Sequence, residues 1–188
     1  MNVYDFDETI FHPDSSFRFV LYCLRHYTRA VLSIVPVSVF RYAQYLSDGR
    51  KDAKPLKEGL FSFLNRIDNV EQVVTEFWNE NISGLQQWYL EQKRDDDVII
   101  SASPEFLLEP VAEMLGVHLI ATKMNPYTGK IIGRNCHDEE KLVRFRKQYP
   151  EACVNAFYSD SFSDEPMAAI ARAAYLVRDG IPHPWPWK

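Results

Sequence analysis

Apolar and polar positions follow three successive patterns along the chain. A short apolar run at residues 2–4 enters a polar loop. From residue 15 to about residue 90, apolar side chains recur at the spacing of amphipathic helices. After residue 95, short apolar runs alternate with helical patterns, which is typical of a parallel sheet covered by helices on both faces. The patterns together predict an α/β core with a helical insertion after its first strand.

The insertion is predicted to contain two helices whose apolar residues lie on one face. The face of the first would carry Phe17, Val20, Leu21, Leu24 and Tyr27. The face of the second would carry Val70, Val73, Val74, Phe77 and Trp78. Between these helices, the polar residues 47–57 include Gly49 and Pro55 and are predicted to form a loop.

The second half of the chain carries several start and stop signals. Ser103 suits a helix N-cap, Pro104 a first helical position, and Gly116 a helix C-terminus. These signals separate two predicted strands, residues 98–100 and 117–121.

Later signals complete the predicted core. A hairpin turn is expected at residues 128–129, and a helix that ends at Pro150 follows. The last predicted elements are a strand that ends at Tyr158, a loop, a helix from about residue 165 and a final strand.

Composition limits the class of protein. The 188 residues suffice for one domain with an insertion, and the net charge of −5 argues against broad nucleic-acid binding. Cys23, Cys136 and Cys153 are odd in number and lack the spacing of a metal site, so we expect reduced thiols and a cytoplasmic protein. The first residues show no signal-peptide pattern.

One apolar run, residues 30–40, raises the question of membrane contact. It is shorter than the roughly 20 residues that cross a bilayer, and Pro36 interrupts it. A buried or proline-kinked helix is therefore favoured. Arg25, Arg29 and Arg41 flank the run, however, and an apolar element with basic flanks can also lie on lipid.

Polar residues follow several predicted strands at the point where each strand ends. Because carboxyl ends of parallel strands meet at one edge of a sheet, these residues should converge. Several carboxylates suit Mg²⁺, while a lysine and a hydroxyl suit a phosphoryl group. The converging residues are Asp5, Asp7, Ser101, Lys141, Asp160 and Asp164.

Four motifs in this order resemble those of the haloacid dehalogenase (HAD) superfamily. They are "YDFDET", "IISAS", the lysine of "GRNCHDEEKLVRF" and "YSDSFSDEPM". The position of the insertion resembles the phosphoserine-phosphatase-like branch. The resemblance implies a HAD-like, Rossmann-like parallel-sheet core at residues 1–12 and 91–188, with a small helical cap at residues 13–90.

The resemblance also implies a role for each motif residue. Asp5 would attack phosphorus to form an aspartyl-phosphate, and Asp7 would act as the general acid and base. Mg²⁺ would be held by Asp5, Asp160 and the backbone carbonyl of Asp7. The remaining implied roles are phosphate binding by Ser101, Ala102 and Lys141, support of the metal ligands by Asp164, and substrate selection in the cap by Arg18.

These roles predict a Mg²⁺-dependent phosphatase that acts on a phosphate monoester of a small metabolite, as a monomer or homodimer without nucleic acid. Two alternatives stay open: a phosphatase for a lipid or lipid-headgroup phosphate, and a HAD-like module that binds without turnover. A dehalogenase is disfavoured because such enzymes need neither the second aspartate nor a metal. His12 and His137 lie near the motifs and are given no role.

Overall fold

The computed structural model describes residues 1–47 and 53–187. Within these residues, six strands form a single sheet in the order β3-β2-β1-β4-β5-β6. Neighbouring strands are parallel from β3 to β5, and β6 runs antiparallel to β5. The strands are β1 Val3–Tyr4, β2 Val98–Pro104, β3 His118–Thr122, β4 Val154–Ser159, β5 Ala171–Arg178 and β6 Ile181–Pro184.

The segment between β1 and β2 is helical, as predicted. Its helices are α1 Ser15–His26, α2 Thr28–Leu32, α3 Val35–Ser47, α4 Lys54–Phe61, α5 Val70–Asn81 and α6 Gln87–Gln92. Short 3₁₀ segments at Ser62–Arg66 and Ile82–Gly84 flank α5. The helices of the core are α7 Glu105–Leu115, α8 Glu139–Gln148 and α9 Glu165–Ala168, with a 3₁₀ turn at Phe162–Asp164.

The predicted apolar face is correct for α5 and only partly correct for the first helix, where Val20, Leu24 and Tyr27 are partly buried against the core. All five predicted residues of α5 are buried. In α1 the buried apolar side chains are Phe19, Tyr22 and Cys23, whereas Phe17 and Leu21 are 58% and 46% exposed. Apolar residues occupy more than one face of α1, and the contact of the Phe19 ring with a ring of α5 decides which face points inward.

The predicted loop at residues 47–57 is partly replaced by a helix. Residues 48–52, with Gly49, lie outside the described part of the chain. From Lys54 onward the chain forms α4, and Pro55 occupies its first turn. Proline suits that position because the first helical N–H groups need no partner within the helix.

The boundary between β2 and α7 also differs from the prediction. Strand β2 continues through Pro104, which occupies the N-cap position, and Ser103 does not cap the helix. The predicted end of α7 is confirmed, because Gly116 has a left-handed φ of 68°.

Two later predicted elements are shorter in the structure. The hairpin near residue 128 is reduced to an isolated bridge between Met124 and Ile131. The helix predicted from residue 165 ends at Ala168, and β5 begins at Ala171. The small residues between Ala168 and Ala174 are compatible with a helix or a strand, and pairing with β4 stabilises the strand.

A single apolar cluster joins the insertion to one face of the sheet. It contains Phe19 and Phe77 from the insertion together with Tyr4 of β1 and Leu107 of α7. The indole N–H of Trp78 donates to the Leu107 carbonyl at 2.6 Å. A second cluster covers the other face, with Phe145, Phe157, Met167 and Trp185 among its members.

The chain enters and leaves the insertion through two paired segments. The backbone N–H of His12 donates to the Gly84 carbonyl at 2.9 Å, and that of Gln86 donates to the Ile10 carbonyl at 2.9 Å. This pairing lies near the predicted cap boundaries at residues 13 and 90, and the division into core and cap stays a prediction. Among the described residues, no helix combines the length and apolar character needed to cross a bilayer.

Candidate active site

A cavity of about 570 Å³ opens at the carboxyl ends of β1, β2 and β4. Helix starts from both the insertion and the core border it, so residues far apart in sequence meet there. The predicted site residues that line it are Asp5, Asp7, Ser101, Ala102, Lys141, Asp160 and Asp164.

Lys141 links two of the predicted carboxylates. Its Nζ lies 2.8 Å from Asp5 Oδ1 and 2.7 Å from Asp164 Oδ2. Asp164 Oδ2 also accepts a hydrogen bond from Ser159 Oγ at 2.7 Å. Lys141 is only 2% exposed, in the first turn of α8, and a buried lysine of this kind needs such partners to stay charged.

The electrostatic balance around Asp5 favours binding a further positive charge. Burial raises the pKa of Asp5 to about 8, the nearby Lys141 opposes this rise, and Asp164 and Asp160 add to it. Burial also raises the pKa of Asp160. Burial alone would lower the pKa of Lys141, but Asp5 and Asp164 outweigh that effect and raise it. Three carboxylates therefore surround this lysine, and their repulsion is only partly relieved.

The donor set fits Mg²⁺. Asp5 and Asp160 are close enough for each to influence the pKa of the other, and Asp164 Oδ1 is buried without a partner among the described residues. In the described ranges no three His, Cys, Asp or Glu side chains form a metal-binding group. Two carboxylates and the Asp7 carbonyl, completed by water, would instead suit an ion that retains much of its hydration shell.

Thr9 connects the first motif to the fourth. Its hydroxyl accepts a hydrogen bond from the backbone N–H of Asp160 at 2.9 Å and lies 3.5 Å from Asp160 Oδ1. Thr9 is fully buried. The third polar residue of the D-x-D-x-T motif therefore positions Asp160 beside Asp5.

Asp7 is held between the insertion and β2. Its Oδ1 accepts from the backbone N–H of Ser15 at 2.6 Å, and its Oδ2 accepts from Ser103 Oγ at 2.5 Å. Ser103 Oγ in turn lies 2.8 Å from Ser16 Oγ. Burial and the neighbouring Asp14 raise the pKa of Asp7 to about 6, although the hydrogen bonds from Ser103 and Ser15 oppose the rise.

Ser103 is a site residue that the sequence prediction missed. Ser101 and Ser103 are two positions apart on a strand, so their side chains share one face. The alternation of strand residues could have predicted that Ser103 lies beside Ser101 at the site. The sequence around Pro104 instead favoured an N-cap role for Ser103. Ser101 is 1% exposed, and its hydroxyl accepts from the Ser103 backbone N–H at 3.0 Å.

Lys57 of α4 is a second residue that was missed. Its Nζ donates to the Ala102 carbonyl at 2.5 Å and lies 3.5 Å from Asn135 Oδ1. Burial lowers the pKa of Lys57, and the charges of Asp7 and Asp14 oppose that shift. No local pattern distinguishes it from a solvent-exposed helical lysine, because only the tertiary structure brings α4 to the cavity.

Helix α4 contacts the core at two further points. Lys54 Nζ donates to the Gly133 carbonyl at 2.8 Å, and Glu58 Oε1 accepts from the Ile131 backbone N–H at 3.0 Å. With Lys57 these residues have helical spacing, so one face of α4 lies against the core.

Arg18 lies outside the cavity. It is exposed and lines an adjacent depression with Leu21 and Arg25. Phe17, its neighbour in sequence, lines both the depression and the cavity. His137 lines the cavity as well, whereas His12 pairs with Glu8 at 2.5 Å.

The order of the motifs, the parallel sheet and the paired carboxylates define a class of protein. The family model of the haloacid dehalogenase-like hydrolases matches residues 3–169, and the chain belongs to this family. Its fold is similar to those of solved phosphoserine-phosphatase-like structures.

Two curated relatives are similar to parts of this chain. The Protein CicA of Caulobacter vibrioides is 36% identical over 93 residues, which span 45% of this chain and 42% of CicA. The histidinol-phosphatase of Neisseria meningitidis is 25% identical over 61% of this chain and 62% of that protein. The chain thus spans less than two thirds of the length of these curated relatives.

Solved structures share the fold. A protein of unknown function from Bordetella pertussis superimposes with a TM-score of 0.75 at 24% identity, covering 94% of this chain and 88% of that one. A probable phosphoserine phosphatase from Vibrio cholerae gives a TM-score of 0.63 at 15% identity, covering 92% of this chain and 55% of that one.

Proposed function

We propose that the protein is a Mg²⁺-dependent phosphomonoesterase in which Asp5 is the nucleophile. The observation that carries the proposal is the Asp5–Lys141–Asp164 arrangement at the base of an open cavity. A nucleophilic carboxylate beside a buried cation, with a further carboxylate two residues away, suits attack on a phosphoryl group.

In the proposed first step, Asp5 attacks phosphorus and the bond from phosphorus to the leaving oxygen breaks. Lys141 and Ser101 stabilise the negative charge on the phosphoryl oxygens. Bound Mg²⁺, held by Asp5, Asp160 and the Asp7 carbonyl, would supply positive charge that lowers the repulsion between the nucleophile and the phosphate. The same charge would offset the raised pKa of Asp5.

Asp7 is proposed to transfer the protons of both steps. It protonates the leaving oxygen and then removes a proton from the water that hydrolyses the aspartyl-phosphate. A pKa of about 6 suits a group that must donate and accept a proton near neutral pH. Ser103 and the start of α1 hold this carboxylate in place.

The first candidate substrate is a phosphate monoester of a small metabolite. The relative named histidinol-phosphatase makes histidinol phosphate one compound to include in a screen. Phe17 favours a second candidate, a phosphate monoester on a lipid, because this exposed ring lines the cavity. The assembled set of Asp5, Asp7 and Lys141 argues against a module that binds without turnover.

Phosphate release from an aryl phosphate, with and without Mg²⁺, tests the proposal. Asp5→Asn should abolish release while far-UV circular dichroism stays unchanged, since an amide oxygen is a poor nucleophile. Asp68→Asn, at an exposed aspartate of the insertion, is the matched control and should retain full turnover. Rapid quench with labelled substrate should give a hydroxylamine-sensitive label on the wild type that is absent from Asp5→Asn.

Turnover that persists in Asp5→Asn, or that a chelator does not diminish, would contradict the proposed mechanism. A screen of phosphorylated metabolites and phosphatidic acid vesicles then separates the two substrate classes.

A further inference from the structure

Helices α1 to α3 expose an unusual amount of apolar surface. Four of these side chains, Val35, Val39, Tyr42 and Leu46, are 43–62% exposed and recur at the spacing of a single face of α3. We call the whole set the apolar ridge, and its members are Phe17, Leu21, Leu32, Val35, Val39, Phe40, Tyr42 and Leu46.

The ridge overturns part of the expectation of a buried helix for residues 30–40. Val31 and Ile34 are buried as expected, but Val39 and Phe40 are 62% and 63% exposed. Single exposed apolar residues are ordinary, whereas several at the spacing of one helix face, as on α3, mark an interaction surface.

The helices that carry the ridge have charges of one sign, and acidic residues of other helices lie at its border: Glu80 of α5 lines the depression beside Arg25, and Glu58 of α4 lies 3.9 Å from Arg41. Residues 15–47 contain four arginines and no aspartate or glutamate, although the whole chain has 26 acidic residues. Arg18, Arg25 and Arg29 are exposed. An apolar surface whose own helices carry arginines and no acidic residues matches the interface of a bilayer that contains anionic lipid.

The α1 end of the ridge borders the cavity. Phe17 lines the cavity and also the adjacent depression, which Leu21 and Arg25 share. A surface that docked on the ridge would therefore lie next to the mouth of the cavity.

We propose that α1 to α3 dock peripherally on bilayers that contain anionic lipid. The 13 residues of α3 rise only about 20 Å, so the helix can lie in the interface but not cross the membrane. Apolar side chains enter the boundary of headgroups and acyl chains, and the arginines contact lipid phosphates. Docking itself does not require catalysis. That docking presents phosphate monoesters of lipids to the cavity rests on the proposed function.

Vesicle flotation tests the docking. The wild-type chain should float with vesicles of phosphatidylcholine and phosphatidylglycerol but not with phosphatidylcholine alone, and added salt should weaken binding. Val39→Glu/Phe40→Glu should lower the partition coefficient on the order of 100-fold. The control variant is Met114→Glu/Val143→Glu, which adds the same charge at two residues of core helices that are each 59% exposed. This variant should bind vesicles as the wild type does.

The arginines are tested separately. Arg25→Gln/Arg29→Gln should weaken binding about fivefold for each arginine, and only to the vesicles that contain phosphatidylglycerol. Wild-type protein that stays unbound with those vesicles overturns the proposal. Equal losses of binding in the ridge and control variants overturn it as well. So does a wild-type protein that binds no vesicles but forms a dimer, if the ridge substitutions dissociate that dimer and the control substitutions do not.

Phosphate release from a soluble aryl phosphate, measured on the same samples, keeps the two proposals distinct. A ridge variant that retains turnover but no longer floats supports the docking proposal and leaves the proposed function unaffected. Absent turnover with retained flotation overturns the proposed function and leaves the docking surface in place.

Discussion

Among individual residues, the environment of Asp7 supports the acid and base role that we propose for it. Ser103 and the first N–H of α1 each donate to one of its oxygens, while burial favours the protonated form. The D-x-D-x-T motif was sufficient to predict Asp5 and Asp7. It could not reveal Ser103, because the donor comes from β2, 96 positions away in the sequence.

Ser103→Ala should lower kcat roughly 10- to 100-fold with little change in KM. The estimate corresponds to the loss of one hydrogen bond to a charged group, about 1.5–3 kcal/mol. Steady-state kinetics on an aryl phosphate would measure it, with Ser47→Ala as the control because that exposed serine donates to the Gln44 carbonyl of its own helix. Unchanged kcat in Ser103→Ala would show that Ser103 does not position Asp7.

Among the elements, α4 and the turn before residue 131 fit closely together. Gly129 has a φ of +66°, and a Cβ there would lie 2.3 Å from the Phe61 carbonyl oxygen at the end of α4. The sequence prediction placed a turn at Gly129 and a loop over much of α4. Their contact could not be predicted, since nothing local relates the two segments.

Gly129→Ala should destabilise the protein more than Gly116→Ala does. Both substitutions place a Cβ on left-handed backbone, which costs about 1–2 kcal/mol, but Gly116 has no neighbour within 4 Å. The clash with Phe61 should add about 1–3 kcal/mol to the loss in unfolding free energy. Urea denaturation of both variants measures the difference, and equal losses would contradict the tight contact between α4 and the turn.

At the scale of the whole molecule, the insertion and the sheet share one apolar cluster. Phe77 is fully buried, and its ring lies 5.4 Å from that of Phe19 and 5.0 Å from that of Trp78. Trp78 in turn bonds to α7 of the core. The sequence predicted that Phe77 is buried. Whether it is buried in a separate core of the insertion or in a core shared with the sheet depended on how the helices pack.

Phe77→Ala should lower the unfolding free energy by about 3–5 kcal/mol, because it leaves a cavity in the shared cluster. Tryptophan fluorescence and far-UV circular dichroism should shift together, as one cooperative transition. Phe40→Ala, at a ring that is 63% exposed, should change stability by less than about 0.5 kcal/mol. Separate transitions for the two probes would contradict a shared core.

The sequence by itself determined the features that depend on short-range pattern. The aspartates of the first motif, the buried face of α5 and the alternation of strands and helices follow from spacing and from the polarity of neighbouring residues. The predicted order of strands and helices placed Lys141 and Asp160 beside them, the family resemblance gave these residues roles, and both line the cavity.

Only the tertiary structure decided which face of α1 is buried, that Lys57 and Ser103 reach the cavity, and that the apolar ridge remains exposed. Each of these features depends on contacts between segments far apart in sequence. Because an apolar residue or a lysine carries the same local signal whether or not a distant segment covers it, no pattern along the chain could distinguish the outcomes.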